Sequence, residues 1–395
     1  MMSTGSTTPF VPLKFIAEIV SGGTPKADSD NWNGDIPFIT PPDLNGLDGD
    51  VVSRWERTLT KDGTSGSSIT NDAVLLSCRA PIGHVGVVTS EVAFNQGCKS
   101  IVPQDADDLA YVAYCLVASR RALQALGRGT TFTELSTTEL SNFSIPWPVC
   151  MDRRAITRYL DRETGEIDAM LAKLDELREQ LIQRRLAAVD NEFSCVGTSS
   201  KARLPFVADV IPGLTYSPSD IVDSGGVVVH RAGSVQNSRI DRSDLVRVST
   251  SIPAKLFIQP GDILVCTRNG SAHLVGKCAI VGISEIGETW GAFMTVLRSQ
   301  HYRYIYWYMQ SSLFAQERKQ YFTSTINQLT VGMFSRMMIP FPESHVQERI
   351  ADHLDEVTGR IDAMLANIDE LRALLVERRA ALITDVVTGR KKVPA

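Results

Sequence analysis

The sequence predicts an α+β fold in which two globular α/β domains are separated by two long antiparallel coiled-coil helices, related by a pseudo-twofold internal repeat. Three observations predict this arrangement: a duplicated segment, a seven-residue apolar spacing in both copies, and short strand-like runs upstream of each copy. The chain has 395 residues, of which 43% are hydrophobic and 22% charged. That length suits about two to three domains, and the composition is typical of a folded protein.

The duplication is most evident in residues 160–185, which recur as residues 354–379 with 17 identities in 26 positions. Average residue usage predicts roughly one or two identities by chance. At the same offset of 194 residues, Ile145-Pro146-Trp147-Pro148 recurs as Ile339-Pro340-Phe341-Pro342. We therefore expect two half-molecules, each with a divergent globular part followed by a nearly invariant helical part.

Both helical parts carry apolar residues at a heptad spacing with a second apolar residue between them, which is the a/d pattern of a coiled coil. Each helix must bury one stripe against a partner, and the simplest partner is the other copy, antiparallel. A helix over residues 156–189 would be about 50 Å long. The predicted seam consists of Leu160, Ile167, Met170, Leu174, Leu177 and Leu181 in the first copy, and of Leu354, Ile361, Met364, Ile368, Leu371 and Leu375 in the second.

The domain boundaries follow from where these patterns begin and end. Each globular part carries strand-like runs broken by Gly, Pro, Asn and Asp, and one helical stretch near its end. The strand-like runs are 73–77, 86–89, 262–266 and 278–281, and the helical stretches are 109–126 and 304–318. We predict a first globular domain over 1–148, a central helical region over 149–190, a linker over 191–202, a second globular domain over 203–342 and a C-terminal helical region over 343–395.

Composition and motifs argue against several classes of protein. No apolar run approaches the roughly 18 residues that span a bilayer, and the polar N-terminus lacks the order of a signal peptide, so we expect neither a membrane nor a secreted protein. The seven cysteines are odd in number and form no Cys-x-x-Cys pair, which favours buried thiols in a reducing cytoplasm. No nucleophile elbow, Walker loop or zinc-protease motif is present, so we predict neither catalytic nor metal-binding residues.

Three local features have two interpretations each. Thr40-Pro41-Pro42-Asp43 partly matches the Asn-Pro-Pro-aromatic motif of amino-methyltransferases, but its first and last residues differ, which favours a proline-set turn. Gly22-Gly23-Thr24-Pro25 lacks the Lys-Ser/Thr of a phosphate loop, and a backbone turn is favoured there too. Aromatic residues over 302–308 are able to stack nucleic-acid bases, although core packing with exposed hydroxyls is favoured.

A series of short motifs runs in order along nearly the whole chain. The motifs are Gly22-Gly23-Thr24-Pro25, Asn31-Trp32-Asn33-Gly34-Asp35-Ile36-Pro37-Phe38-Ile39, Phe94-Asn95-Gln96-Gly97, Ile145-Pro146-Trp147-Pro148, Ile339-Pro340-Phe341-Pro342, Gln347-Glu348-Arg349-Ile350-Ala351 with Leu354-Asp355, and Thr388-Gly389-Arg390. In this order, on a duplicated chain, they resemble the motifs of the specificity subunits of type I restriction-modification systems. Two places depart from that family's pattern: Met151-Asp152-Arg153-Arg154 stands where a Glu-Gln pair is usual, and Pro212-Gly213-Leu214-Thr215 replaces a second Gly-Gly-Thr-Pro.

The resemblance implies a non-catalytic subunit whose two globular domains are target-recognition domains that read double-stranded DNA. It implies partners: two methyltransferase subunits and, for cleavage, restriction subunits that act as motor-nucleases. S-adenosylmethionine, ATP and Mg would be cofactors of those partners, with none bound by this chain. The target would be two short half-sites around a non-specific spacer, methylated at adenine N6. A helix pair of about 50 Å is long enough to hold two readers one DNA turn, about 34 Å, apart.

Candidate DNA-binding residues lie in the divergent loops. The net charge of −5 is unlike that of a protein that coats nucleic acid, so we expect a few base-edge contacts, with partners supplying phosphate contacts. Arg suits guanine, and Asn or Gln suits adenine, although each candidate alone also suits a surface or turn role. The candidates are Lys26, Asn31, Asn33, Arg79, His84, Gln96, Lys99, Arg128 and Thr131 in the first domain, and Arg231, Asn237, Arg239, Arg268, Asn269, His273, Lys277, Asn327 and Gln328 in the second.

Two of these candidates recur in both halves. Arg79 with His84 matches Arg268 with His273, and readers of different sequences need not share base-reading residues. Phosphate positioning or a scaffold role is therefore favoured for these pairs.

Two other functions stay open at this stage. The heptads and the acidic balance also suit a coiled-coil structural adaptor that has no DNA specificity. An enzyme in its own right, a methyltransferase or a nuclease, is disfavoured by the missing motifs.

Overall fold

A computed structural model describes residues 8–26, 28–127, 134–196, 200–320 and 327–394. The chain divides into two compact units, one formed by Met1–Leu174 with Glu370–Ala395 and the other by Asp175–Asp369. Each unit contains a globular part, the first head (residues 8–148) or the second head (residues 200–342), together with segments of two long helices. The predicted α+β class with an internal repeat is confirmed.

The first head contains ten strands and three short α-helices within its described residues. The strands are β1 Phe10–Pro12, β2 Ala17–Ser21, β3 Trp32–Ile39, β4 Arg57–Leu59, β5 Ser68–Thr70, β6 Ala73–Ser77, β7 Val85–Val88, β8 Val92–Phe94, β9 Cys98–Pro103 and β10 Ser144–Pro146. The helices are α1 Leu109–Ala118, α2 Arg120–Leu126 and α3 Thr137–Asn142, and the first long helix is α4 Cys150–Cys195.

Two four-stranded sheets build the first head, in the orders β2-β9-β6-β7 and β4-β3-β8-β5, and β1 pairs with β10. Strand β6 explains why the sequence has an unbroken apolar run there. Val74 and Leu76 enter the core beneath α1, whereas Leu75 enters the core between the sheets. Because side chains alternate between the faces of a strand, a strand buried on both faces must be apolar throughout.

The second head repeats this plan. Its strands are β11 Lys201–Arg203, β12 Asp209–Pro212, β13 Ile221–Val222, β14 Val227–His230, β15 Val235–Gln236, β16 Arg239–Ile240, β17 Val246–Val248, β18 Ile263–Cys266, β19 Cys278–Ile280, β20 Thr289–Trp290, β21 Met294–Arg298 and β22 Met338–Pro340. Its helices are α5 Tyr302–Gln310, α6 Ser312–Lys319 and α7 Val331–Phe334, and the second long helix is α8 Ser344–Val387.

The sheet orders show which elements of the two heads correspond. The order β12-β21-β18-β19 matches β2-β9-β6-β7, and the pair β11-β22 matches β1-β10. In the remaining sheet, β14 runs parallel to β20 as β3 does to β8. The edges differ, because the first head adds β5 beside β8 and the second adds β13 beside β17.

The two long helices pack antiparallel within each unit. In the second unit, Arg178 contacts Asp369 and Arg185 contacts Asp362, so one heptad forward on α4 is one heptad backward on α8. In the first unit, Arg379 of α8 contacts Asp168 of α4, which agrees with the same antiparallel direction. Ile167 packs with Leu375 and Leu382 in the core of the first unit. The predicted antiparallel pairing of the two copies is therefore confirmed.

The predicted seam is correct for one row of residues and wrong for the other. Leu160, Ile167, Leu181, Leu354, Ile361, Ile368 and Leu375 are all less than 9% exposed, and Leu174 packs partly buried against the first core. The intermediate residues Met170, Leu177, Met364 and Leu371 are instead 50%, 44%, 51% and 45% exposed. The second row of the seam lies one position later than predicted: Thr164 and Thr358 are each 3% exposed, and Leu171 packs partly buried against the first core. The predicted intermediate residues therefore face outward.

Several element boundaries differ from the predicted ones. Helix α4 continues to Cys195 and β11 begins at Lys201, so both enter the stretch predicted as a linker. Each predicted helical stretch is two helices, broken at Ser119 in the first head and at Ser311 in the second. The second break has a local cause, because the Ser311 hydroxyl accepts a hydrogen bond from the Phe314 amide and so begins a new helix.

The predicted turns and aromatic packing have clear outcomes. Residues 41–44 form a short 3-10 helix capped by Thr40 and Asp43, in agreement with a proline-set turn. Residues 22–25 form no turn, and glycine is needed there because a Cβ at Gly22 would lie 2.0 Å from the Asn95 carbonyl oxygen. Tyr304 and Tyr308 are buried, but their hydroxyls donate to the Pro340 carbonyl and to Glu317. The expected core packing is confirmed, and the expected exposure of those hydroxyls is wrong.

Among the described residues, no helix combines the length and apolar character needed to cross a bilayer.

Candidate nucleic-acid interface

Three loops meet at equivalent places in the two heads and form what we term the loop frame. In the first head, the Cys78 amide donates to the Gly97 carbonyl at 2.7 Å and the Leu135 amide donates to the Cys78 carbonyl at 2.8 Å. In the second head, the Thr267 amide donates to the Phe293 carbonyl at 2.9 Å and the Leu329 amide donates to the Thr267 carbonyl at 2.8 Å. The same backbone network therefore holds loops of different sequence.

The loop frame of the first head presents a neutralised arginine. Arg79 forms an antiparallel bridge with Glu134, and its Nε donates to Glu134 Oε2 at 3.1 Å. Both side chains are about two-fifths exposed, at 42% and 41%. Gln96 lies exposed in the adjoining turn. An ion pair at this exposure contributes little to stability, but it lowers the positive charge that Arg79 offers to an anion.

The loop frame of the second head presents an arginine beside an aromatic ring. Arg268 bridges with Gln328 instead of a glutamate, and its guanidinium lies 5.0 Å from the centre of the Phe293 ring. No ion pair joins Arg268 to a carboxylate in the part of the chain that the structure describes. The Asn327 amide donates to the Gly270 carbonyl at 3.1 Å. This loop frame therefore brings together four predicted residues: Arg268, Asn269, Asn327 and Gln328.

Phe293 is a surface feature that the sequence reasoning missed. Its side chain is 54% exposed, next to a guanidinium that it can hold by a cation–π contact. A single phenylalanine in a loop has no periodic signal, because periodicity reports regular elements only. The available signal is its position just before β21, which corresponds to Gly97 before β9 in the other head.

The two predicted histidines occupy different surroundings. His84 is half-buried, its Nδ1 has no hydrogen-bond partner among the described residues, and burial, together with the nearby Arg120 charge, lowers its pKa. A neutral imidazole at pH 7 is poorly suited to a phosphate. His273, in contrast, is exposed on a 3-10 helix beside the second loop frame.

The remaining first-head candidates lie on other loops. Asn31 donates from its side chain to the Lys26 carbonyl at 3.1 Å, which places both on one turn before β3. Asn33 is exposed with a backbone φ of 64°, a left-handed geometry that asparagine tolerates. Arg128 and Thr131 lie outside the described residues. The side-chain contact joins Lys26 and Asn31 in a second loop cluster, whereas Asn33 is the second residue of β3.

One predicted DNA contact is wrong because its side chain is buried. Lys99 is only 3% exposed, because β9 is buried on both faces, and its ammonium lies 3.4 Å from the Ser21 hydroxyl. Arg239 lies 3.8 Å from Asp362 on α8, but its side chain is 77% exposed, so it stays a candidate. Arg231 pairs with Asp244 at 2.7 Å, while Asn237 is exposed and Lys277 half-buried.

The described residues contain no group of three or more His, Cys, Asp or Glu side chains arranged to hold a metal ion. The charged cluster inside the second head is a structural network instead. His230 is fully buried, with Nε2 at 2.7 Å from Glu288, and Arg242 contacts the same carboxylate at 2.6 Å. A buried carboxylate held by two partners satisfies its own hydrogen bonds.

Comparison with known proteins agrees with this two-headed arrangement. A family model described as the type I restriction modification DNA specificity domain matches residues 7–179 and 202–373. The type I restriction enzyme MjaIX specificity subunit of Methanocaldococcus jannaschii is 32% identical over 154 residues, which make up 38% of this chain and 36% of that protein. The match thus spans little more than a third of this relative's own length.

Two solved structures share the fold across almost the full chain. A structure described as the structural basis underlying complex assembly and conformational transition of the type I R-M system superposes with a TM-score of 0.67 and 15% identity, covering 97% of this chain and 98% of that one. The HsdS subunit from Thermoanaerobacter tengcongensis gives a TM-score of 0.52 at 15% identity, covering 99% of both chains. With two matched copies of the family domain, the chain belongs to the type I restriction-modification specificity subunits.

Proposed function

We propose that this chain is the non-catalytic, sequence-specific DNA-binding subunit of a type I restriction-modification complex, in which each head reads one half of a bipartite target. One observation carries the proposal. The same loop frame presents Arg79 with Glu134 in one head and Arg268 with Phe293 in the other. A conserved backbone with exchanged side chains is what two readers of different half-sites require.

The chemistry of the loops suits base-edge reading. An arginine free of carboxylates forms two hydrogen bonds to guanine, an amide side chain does so with adenine, and an apolar side chain packs on the thymine methyl group. Each good contact is worth about 1 to 3 kcal/mol of discrimination. The second loop frame offers all three types of side chain within one cluster. The net charge of −5 indicates that partner subunits provide much of the phosphate neutralisation.

The long helices would set the spacer and dock two methyltransferase subunits. Their outward row is apolar: Met170 and Leu371 in the first unit, and Leu177 and Met364 in the second, are each about half exposed. Apolar residues exposed on a helix are typical of protein interfaces. Restriction motor-nuclease subunits would join for cleavage, and S-adenosylmethionine, ATP and Mg would be bound by the partners. All seven cysteines are free thiols, which is compatible with action in the cytoplasm.

A head exchange tests the proposal. The complex with its methyltransferase subunits is reconstituted with residues 1–148 replaced by the head of a relative, and methylated adenines are mapped on random-sequence DNA. We expect one half of the methylated sequence to change and the other half and the spacer to persist. Replacement of residues 203–342 is the matched control and must change the other half. A change in both halves, or in neither, would overturn the proposal.

A coiled-coil adaptor without DNA specificity is the second candidate, favoured by the acidic charge and by the outward apolar row. The two functions differ in a mobility-shift assay of the same complex with random-sequence competitor DNA. An adaptor shows no sequence-dependent retention, whereas the proposed reader retains its target.

A further inference from the structure

One arginine–aspartate contact between α4 and α8 occurs in both units at duplicated positions. In the first unit, Arg379 Nε donates to Asp168 at 2.9 Å. In the second unit, Arg185 Nε donates to Asp362 at 3.1 Å. Arg185 and Arg379 correspond in the repeat, as do Asp168 and Asp362. We term these contacts the cross-helix pairs.

The first head contacts its cross-helix pair with an acidic loop. Arg379 also donates to the Asp50 carboxylate at 2.9 Å and to the Asp48 carbonyl at 3.3 Å, and its side chain is only 9% exposed. Backbone hydrogen bonds hold this loop on β7, from the Gly49 amide to the Val85 carbonyl and from the Val52 amide to the Val87 carbonyl. The head therefore reaches the arginine of the pair.

The second head contacts its cross-helix pair with a basic residue. Arg239 lies 3.8 Å from Asp362, with its side chain 77% exposed, and this ion pair is longer and more exposed than the one in the first head. Arg239 belongs to β16, which packs beside β19. Strand β19 is the counterpart of β7, so Arg239 and Asp50 come from equivalent sides of their heads. Here the head reaches the aspartate of the pair. The two heads thus use opposite charges on the same helix contact.

Some contacts between each head and its helices occur in one unit only, such as Arg153 with Asp108 and Arg303 with Asp355, and others are shared. Tyr111 and Tyr304 donate to the Pro146 and Pro340 carbonyls, each at 2.9 Å. Tyr114 and Trp307 donate to Asp161 and Asp355, each at 2.8 Å. These contacts cannot tell one head from the other, because both units make them.

We propose that Asp50 and Arg239 are positioning residues: their opposite charges on the cross-helix pairs fix the seating of each head on its own helix segments. This inference rests on the proposed function, since seating matters for target choice only if the heads read DNA. A head moved to the other unit would bring the wrong charge, so exchange between units requires exchange of this residue.

The energetics favour orientation over stability as the role of the contact. Burial raises the pKa of the Asp50 carboxyl, and the attraction of Arg379 only partly opposes this effect. The Arg379 side chain is 9% exposed and the Asp50 side chain is 56% exposed, and an ion pair with one partner this exposed adds little to stability. The contact therefore matters more for where it holds the loop than for how much it stabilises the fold.

A charge-swap cycle on the full chain tests the contact directly. The variants are Asp50→Arg, Arg379→Asp and the double variant that combines them. In the double variant, one arginine of the head faces two aspartates of the helices. Hydrogen exchange at the Gly49 and Val52 amides reports whether the loop is seated. We expect each single variant to exchange about tenfold faster, and the combined variant to return to within about threefold of the wild type. Asp50→Asn keeps the shape of the side chain and removes its charge. It is the control that separates loss of the ion pair from general unfolding.

The same variants, assembled with methyltransferase subunits, are then assayed on targets whose spacers differ by single base pairs. We expect the single variants to accept additional spacers and the combined variant to regain the wild-type spacer. Equal exchange rates in the single and combined variants, or a spacer preference that no variant changes, overturn this inference. Loss of sequence-specific methylation in the wild type would instead refute the proposed function, while the exchange cycle would still test the contact.

Discussion

The two heads share several hydrogen bonds to the helices, apart from charged contacts such as those of Asp50 and Arg239, and they differ in the loops that face away from the helices. Tyr111 and Tyr304 make the same hydrogen bond to a proline carbonyl, and β6 and β18 are buried in the same way. The loop frames, in contrast, hold Glu134 in one head and Gln328 in the other. A duplicated fold therefore keeps most of the residues that attach each head to the helices, whereas the residues of the exposed loops are free to change.

The interiors of the heads also differ away from the helices. The buried His230 of β14 lies beside Trp290, whereas Ile39 lies beside Phe94 at the corresponding place in β3. His230 is balanced by Glu288 and Arg242. A polar network and an apolar core therefore support the same sheet, so the divergence extends below the surface.

The largest expected effect concerns the shared core. Leu160→Ala and Leu354→Ala remove fully buried side chains at duplicated positions, and each should lower the free energy of unfolding by about 2 to 5 kcal/mol. Met170→Ala and Met364→Ala, at half-exposed positions, should change it by less than about 0.5 kcal/mol. Urea unfolding measures all four. Equal losses at the methionines and the leucines would contradict the outward position of the methionines.

A smaller loss of stability tests whether the two heads attach to the helices through equivalent hydrogen bonds. Tyr111→Phe and Tyr304→Phe each remove a hydroxyl that donates to a proline carbonyl in a buried setting. Both should destabilise the chain by about 1 to 3 kcal/mol, because the carbonyl loses its partner. Chemical denaturation provides the measurement. A loss in one head only would break the equivalence drawn between them.

One substitution in each loop frame changes whether its arginine faces a carboxylate, and we expect little effect on stability. Glu134→Gln frees Arg79, and Gln328→Glu gives Arg268 a carboxylate. Since each additional phosphate contact steepens the dependence of log K on log salt by about 0.9, the first change should steepen the slope by up to about one and the second should flatten it. Fluorescence anisotropy of the assembled complex over a salt series measures both. Unchanged slopes would show that neither arginine contacts a phosphate.

The last prediction has the smallest expected effect and compares how readily each head opens locally. Cys115 of α1 and Cys278 of β19 are both buried, and burial raises the pKa of Cys278 to about 12, so neither should react with a thiol reagent until its head opens. Cys195, which is exposed, should react at once and serves as the internal control. Mass spectrometry over time gives the opening rate of each head. Immediate labelling of Cys115 or Cys278 would show that its head is open without denaturant.

The repeat, the long helices and the family could be predicted because they rest on identities and periodicity. The outward row of Met170, Leu177, Met364 and Leu371 could not, because a heptad pattern shows two apolar positions without showing how many neighbours cover them. Lys99 failed as a DNA contact for a related reason, since it is 3% exposed. Whether a polar side chain is buried in a sheet or turned to a helix depends on strands distant in sequence.

The loop frames were predicted only in part. Arg79 and Arg268 could be matched by their spacing from the apolar runs before them, and the structure places them at corresponding bridges. Glu134 and Phe293 were not among the candidates, because a lone acidic or aromatic residue in a loop follows no pattern. Their significance comes from the residues that the folded backbone sets beside them.

The antiparallel direction of α4 and α8 has a further consequence for the origin of the chain. Each cross-helix pair joins an arginine of one copy to the aspartate of the other, and every copy contains both residues. A half-length chain with one copy would therefore hold everything needed to form both contacts with an identical molecule, as in an isologous dimer. On this view, gene fusion released the two halves from symmetry, and only then could one begin to read a different sequence.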